Sequence, residues 1–385
     1  MSEPSPPPAG PSGPGTALAL PDTPEAVRAL VRREFAAAWD ENEAALQLAL
    51  KQRITVAFLG SASAGKDSGI KAVFGLDFGD VSPIPGSTDR IKVAPLDPEG
   101  QVLLVNAPGF GDVRASVDQQ ARAVLDDLDI VVYVLNADGG ATHDEKRDLD
   151  AIRAGGRPVL VCINKIDLIR PEEREAFVAA TLAQLAVDRK DALVCAFDPL
   201  PQISPEPLGV KGVVRWIHEQ LEKNGKELLF AKTMRNKMLA CEPIIAAAAK
   251  RASMAGAIPV PGADLAVVTA IQVKLIRDVA EVYGTPLDKD VAIFIIGEIL
   301  SGGMRGFVRW GVEGLKAAGW IPGGQVAEAA ILGLSAMVAG ATTYGVGRAA
   351  AQYMASGRQL DGEGLRAAFD LAAWQYKARA ERKAP

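Results

Sequence analysis

Between Ile54 and Phe197, short runs of β-branched and aliphatic residues alternate with stretches of helical periodicity. No other feature constrains the fold as strongly. The runs are ITVAFLG (54–60), VLLVNA (102–107), IVVYVLNA (130–137), PVLVCINK (158–165) and a weaker ALVCAF (192–197). Each is apolar almost without interruption, as in strands covered on both faces, so the pattern predicts an α/β fold with a mostly parallel sheet between helices. Ligands of such sheets bind beyond the carboxyl ends of the strands. The unusual residues of this chain sit there.

After about Lys223 the strands disappear and the chain becomes rich in Ala, Gly and Val with helical periodicity, predicting a second, all-helical domain. With 385 residues the chain is long enough for about two domains. Residues 1–22 are dominated by Pro, Gly and Ser and predict a disordered tail. They contain no basic stretch followed by an apolar one, so nothing in them directs secretion. Residues 23–51 predict a helix whose apolar stripe (Val27, Leu30, Val31, Phe35, Ala38, Trp39, Leu46) needs a partner; the helical domain is expected to supply it. That leaves 52–222 as the α/β domain and 223–385 as the helical one. Three widely spaced cysteines, Cys162, Cys195 and Cys241, predict reduced interior thiols and a cytoplasmic setting. The net charge of -5, from 42 basic and 47 acidic side chains, offers no field for a nucleic-acid backbone.

The segment Gly60-Ser61-Ala62-Ser63-Ala64-Gly65-Lys66-Asp67-Ser68 follows the first strand and precedes a helical stretch. Glycines at this spacing let backbone N–H groups curl around phosphates, the helix start adds partial positive charge, and Lys66 reaches the terminal phosphates. Alone, the segment could be a Gly-rich surface turn. A second element, Asn164-Lys165-Ile166-Asp167, ends another strand. The Asp167 carboxylate can accept from the N1–H and N2–H₂ edge of guanine, an edge that adenine lacks. Asn164 would address the N7 and O6 side, and the Lys165 stem would pack over the ring. Alone, that tetrapeptide could equally be a capped strand-to-helix turn.

With both elements in order, residues 52–222 resemble an Era-like member of the translation-factor-related P-loop GTPase class. Two further motifs of that class fall between them. Pro85-Gly86-Ser87-Thr88 matches switch one, implying that Thr88 closes on magnesium (Mg²⁺) and the γ-phosphate. Asn106-Ala107-Pro108-Gly109-Phe110-Gly111-Asp112 matches switch two, implying that the Gly109 N–H senses the γ-phosphate. The loop over the base would correspond to Cys195-Ala196. The resemblance implies GTP and GDP as ligands, with Lys66, Thr88 and Gly109 carrying any phosphoryl chemistry.

Two departures fall on the expected magnesium shell. Asp67 replaces the hydroxyl residue that usually follows the cradle lysine, and Asn106 replaces the switch-two aspartate. A neutral and an anionic group have exchanged places, so formal charge is unchanged. The expectation is that Asp67 ligates Mg²⁺ directly and Asn106 orients a coordinated water; the competing one is a domain that binds nucleotide without turning it over. Phe110 stands where many GTPases carry a water-orienting Gln, so hydrolysis is expected to be slow. Ser61, Asp112, Arg114 or a group from a second molecule are candidates to complete it.

In the helical half, Ala329 to Gly347 contains 19 uncharged residues, rich in Ala and Gly. This predicts a buried or reversibly membrane-associating helical hairpin rather than a fixed span. The stretch AIPVPGADLAVVTAIQVKLI (257–276) resembles an uncharacterised helical domain found behind some bacterial Era-like GTPase domains. The implied partners are a guanine nucleotide, a membrane surface on the cytoplasmic side, and a second copy of the chain docking through the GTPase face; nucleic acid is not favoured.

Overall fold

A computed structural model describes residues 38–39, 45–77, 92–107, 128–257, 263–285, 287–299 and 324–382. The predicted tail, most of the predicted N-terminal helix, and Thr88, Gly109, Phe110, Asp112 and Arg114 of the expected switches lie outside these residues.

Among the described residues the sheet has six strands: β1 (Ile54–Leu59), β2 (Lys92–Pro95), β3 (Val102–Asn106), β4 (Ile130–Asn136), β5 (Val159–Asn164) and β6 (Ala192–Val194). Their order is β2-β3-β1-β4-β5-β6. All pair in parallel except β2, which runs antiparallel to β3. Every residue of β1 and β5 is buried, as their unbroken apolar sequences require. β6 is shorter than the ALVCAF run. The Cys195 N–H still reaches the Ile163 carbonyl at 2.8 Å, but Ala196 turns away to bridge Leu208. β2 was not legible as a strand because KVAP has no apolar run and ends in a proline, a residue that only an edge strand tolerates.

Helices α1 (Lys66–Phe74), α2 (His143–Ala154), α3 (Arg174–Leu185) and α4 (Val210–Glu222) follow strands, as crossovers in a parallel sheet demand. α2 starts at a capping box. The Thr142 hydroxyl accepts the Glu145 N–H at 3.2 Å, and the Glu145 carboxylate accepts the Thr142 N–H at 2.9 Å. One face of the sheet buries Leu59, Val93, Val105, Val131 and Ile163 against Leu149 and Ile152 of α2 and Leu182 of α3. On α1, Phe74 packs edge-on between Phe58 of β1 and Phe230 of α5 (Glu227–Thr233), with centroids 6.2 and 5.8 Å apart.

The remaining helices are α6 (Lys237–Gly256), α7 (Ala263–Val282), α8 (Lys289–Glu298), α9 (Gly324–Ala355) and α10 (Gly362–Glu381). The chain does not enter α8 directly from α7. The N-cap of α8 is Asp288, because the Thr285 N–H is engaged in closing α7 on the Ala280 carbonyl past left-handed Gly284. The chain divides into two compact units, one of residues 42–244 with 278–286, the other of 1–41, 245–277 and 287–385. Within the second, the Arg277 guanidinium lies 4.4 Å from the Trp39 ring centroid and donates to the Trp39 carbonyl at 2.8 Å.

Residues 340–347 of α9 are all buried. A Cβ on Gly345 would stand 2.6 Å from the Phe369 ring of α10, so the helices approach as closely as glycine allows. Beside it, Gln272 of α7 donates to the Thr343 hydroxyl at 3.2 Å, and Tyr344 packs on Tyr376 at 5.3 Å. These small residues are thus used in packing between helices of the same unit. Among the described residues no helix is long and apolar enough to cross a membrane.

Candidate nucleotide site

The cradle starts where β1 ends. Gly60 has φ +141 and Gly65 φ +92, backbone conformations that glycine adopts without strain. A Cβ on Gly60 would run into the Val134 carbonyl, and one on Gly65 into the Asn164 side chain. Ser63 also holds a left-handed conformation, φ +61, a strained geometry of the kind that gathers at functional loops. The result is a loop of backbone at the N-terminus of α1. The Lys66 ammonium lies across it, donating to the Gly60 and Ser61 carbonyls, both at 2.9 Å. Burial lowers the Lys66 pKa from its usual value, and the neighbouring Asp67 charge opposes that shift.

Asn164, at the end of β5 and 2% exposed, joins this loop to the one after β6. Its amide donates to the Ala64 carbonyl at 2.8 Å and its oxygen accepts the Phe197 N–H at 3.0 Å. One amide N–H and one oxygen lone pair remain after these two bonds, the groups with which the expected contact to N7 and O6 of a base would be made. Lys165 follows with φ +62, and Asp167 is 9% exposed in a single 3-10 turn, accepting a long 3.4 Å bond from the Leu200 N–H. Ala196 exchanges backbone hydrogen bonds with Leu208 at 3.2 and 2.8 Å, holding the loop beside Asp167.

The two exchanged residues touch each other. Asn106, at the end of β3 and 8% exposed, donates its amide to one carboxylate oxygen of Asp67, in the first turn of α1. One N–H of Asn106 is thus held by Asp67, and its second N–H and its oxygen remain for the expected water. Asp67 itself is exposed to the cleft. Among the described residues no three His, Cys, Asp or Glu side chains converge as a metal site. A divalent cation beside Asp67 would draw its other oxygens from nucleotide, water and switch residues, a mixed shell that suits Mg²⁺.

Ser61, Ala62, Ser63, Gly65, Lys66, Asp67, Ser68, Asn106 and Lys165 line a single open cleft of about 930 Å³. Asn164 and Ala196 stand behind the cleft as supports, and Asp167 is not part of its lining. Sequence reasoning missed several other lining residues, namely Lys92, Tyr133, Thr142, Asp144, Glu145 and Asp148. The Tyr133 hydroxyl donates to Asp148 at 3.1 Å, and burial, aided by the Asp148 and Glu145 charges, pushes its pKa upward. Beneath the base-side loops, burial raises the pKa of the Cys162 thiol, which contacts the Cys195 thiol.

A glycine-lined phosphate loop between a parallel strand and a helix, bonded to an Asn-Lys-x-Asp turn, defines a P-loop guanine-nucleotide-binding domain. Residues 55–165 match the family profile described as 50S ribosome-binding GTPase, and residues 222–375 match a domain of unknown function, DUF697. The chain is 30% identical over 143 residues to a probable GTP-binding protein EngB of Gemmatimonas aurantiaca, covering 34% of this chain and 69% of that one. It is 31% identical over 147 residues to the GTPase Der of Streptococcus mutans, covering 36% of this chain and 32% of Der. With the GTPase Era of Nitratidesulfovibrio vulgaris the identity is 30% over 130 residues, covering 31% of this chain and 42% of Era. The chain thus spans well under half the length of these Der and Era relatives. It belongs to the Era, Der and EngB family of GTP-binding proteins, with its GTPase domain followed by DUF697.

Proposed function

We propose that this chain is a GTP-binding switch that hydrolyses GTP slowly and passes its nucleotide state to the helical domain. In this reading the backbone from Gly60 to Gly65 cradles the phosphates, Lys66 leaves the Gly60 and Ser61 carbonyls to pair with the β- and γ-phosphates, and Asp167 accepts from the guanine edge. Asp67 offers Mg²⁺ the carboxylate oxygen that Asn106 does not hold, and Thr88 adds a hydroxyl. Bound there, Mg²⁺ would supply charge neutralisation between the terminal phosphates. The Gly109 N–H would order switch two only when a γ-phosphate is present. Phe110 cannot orient water, so turnover is slow unless a group from elsewhere, including a second copy, completes the site.

The observation that carries this reading is the Asn164 clamp. It joins a phosphate loop and a base-reading turn separated by 100 residues in sequence into one loop cluster. Substituting Asp167→Asn should weaken GTP binding by about 100-fold or more while GTP-independent stability changes little, because two charge-assisted hydrogen bonds to the base are lost. Fluorescent GTP titration reads this directly, and unchanged affinity would mean that the base pocket lies elsewhere.

A second reading is a nucleotide-loaded scaffold without turnover, favoured by Phe110 and by the direct Asn106–Asp67 bond. Single-turnover hydrolysis of labelled GTP, with and without anionic lipid vesicles, separates the two. Phosphate release supports the switch, and a dependence on vesicles would assign the helical domain to a membrane surface.

A further inference from the structure

Asn106 fixes one side of the cleft, and the residue directly opposite it across the β2–β3 pair is Lys92. Directly opposed residues of antiparallel strands project to the same face with Cβ atoms about 5 Å apart. The next pair along, Val93 with Val105, is buried in the core on the other face. The register therefore places Lys92 beside Asn106 on the face where Asn106 meets Asp67. Lys92, Lys66 and Asp67 line the same cleft.

This placement bears on the charge that the exchange of residues has moved. A carboxylate in the first turn of α1 stands closer to the phosphates than one at the end of β3, and its repulsion must be offset. Mg²⁺ does so when bound. We propose that Lys92 is a second phosphate-binding cation of the cleft, one that offsets Asp67 and sustains guanine-nucleotide binding when Mg²⁺ is scarce. The inference rests on the nucleotide site described above.

Affinities of the full-length protein for fluorescent GDP and a fluorescent non-hydrolysable GTP analogue, measured in millimolar Mg²⁺ and again in EDTA, test it. Lys92→Met should weaken binding in EDTA by about 30-fold and in Mg²⁺ by only about 3-fold, since a charge-assisted bond to phosphate counts most when no metal shares the charge. Lys92→Arg should recover most of the EDTA affinity. Equal losses in both conditions, no loss in EDTA, or no recovery with arginine would overturn the role of Lys92. Should Lys92→Met prove poorly folded by circular dichroism, Lys92→Gln is held to the same two ratios. If the unaltered protein binds neither nucleotide in either condition, the nucleotide site itself is wrong and the inference falls with it. If it binds and Lys92→Met matches it throughout, only the inference falls.

Discussion

Glycine serves opposite purposes in two regions of this molecule. In the phosphate loop, Gly60 and Gly65 are needed for their backbone angles as well as for the space beside them, since each has a positive φ and presses on a residue of a neighbouring strand. In α9, Gly340, Gly345 and Gly347 keep ordinary helical geometry, and what matters is how near a neighbour can come, as at Gly345 against Phe369. A loop glycine shapes a surface for a ligand, whereas a helix glycine removes a surface so that the protein can fill it. Similar composition therefore signifies binding in one region and packing in the other. Residues 340–347 of the Ala- and Gly-rich stretch are of the second kind.

Three substitutions sharpen this contrast. Gly60→Ala meets both a strained φ and the rigid Val134 carbonyl, so it should cost roughly 3 kcal/mol or more and abolish GTP binding. Urea unfolding and nucleotide titration measure both effects, and retained affinity would break the comparison. Gly345→Ala meets a fully buried ring but gains helix propensity, for a net loss of about 1–2 kcal/mol with GTP affinity unchanged. A nucleotide defect in that variant, with the fold intact, would show that α9 packing reaches the site. The smallest change is expected from Ser63→Gly, which relieves a left-handed serine but loosens the unfolded chain, leaving stability within about 1 kcal/mol and GTP binding intact.

Much of the site could be read from the chain because its signals are local. Strand runs, the Gly60 to Lys66 spacing and the Asn164 to Asp167 turn each carry their meaning within a few residues. The misreadings were of other kinds. Thr285 and Pro286 look like a helix start, but the Thr285 N–H closes the preceding helix on the Ala280 carbonyl, and α8 is capped by Asp288 instead. β2 escaped notice since KVAP buries only Val93 and Ala94, one residue on each face, too short a pattern to read as a strand. With β2 unseen, Lys92 had no reason to be linked to the phosphates.

The sequence by itself determined five of the six strands, the all-helical second half, and which loop has the backbone freedom to surround a phosphate, since periodicity and glycine placement act over a turn or two of chain. Only the tertiary structure decided that Asn164 spends its amide on Ala64 and Phe197, that Asn106 meets Asp67, and that Lys92 stands across from Asn106. Those meetings depend on strand order and register. Both are set by how apolar faces pair across the whole sheet, over distances along the chain at which neighbouring residues carry no information about one another.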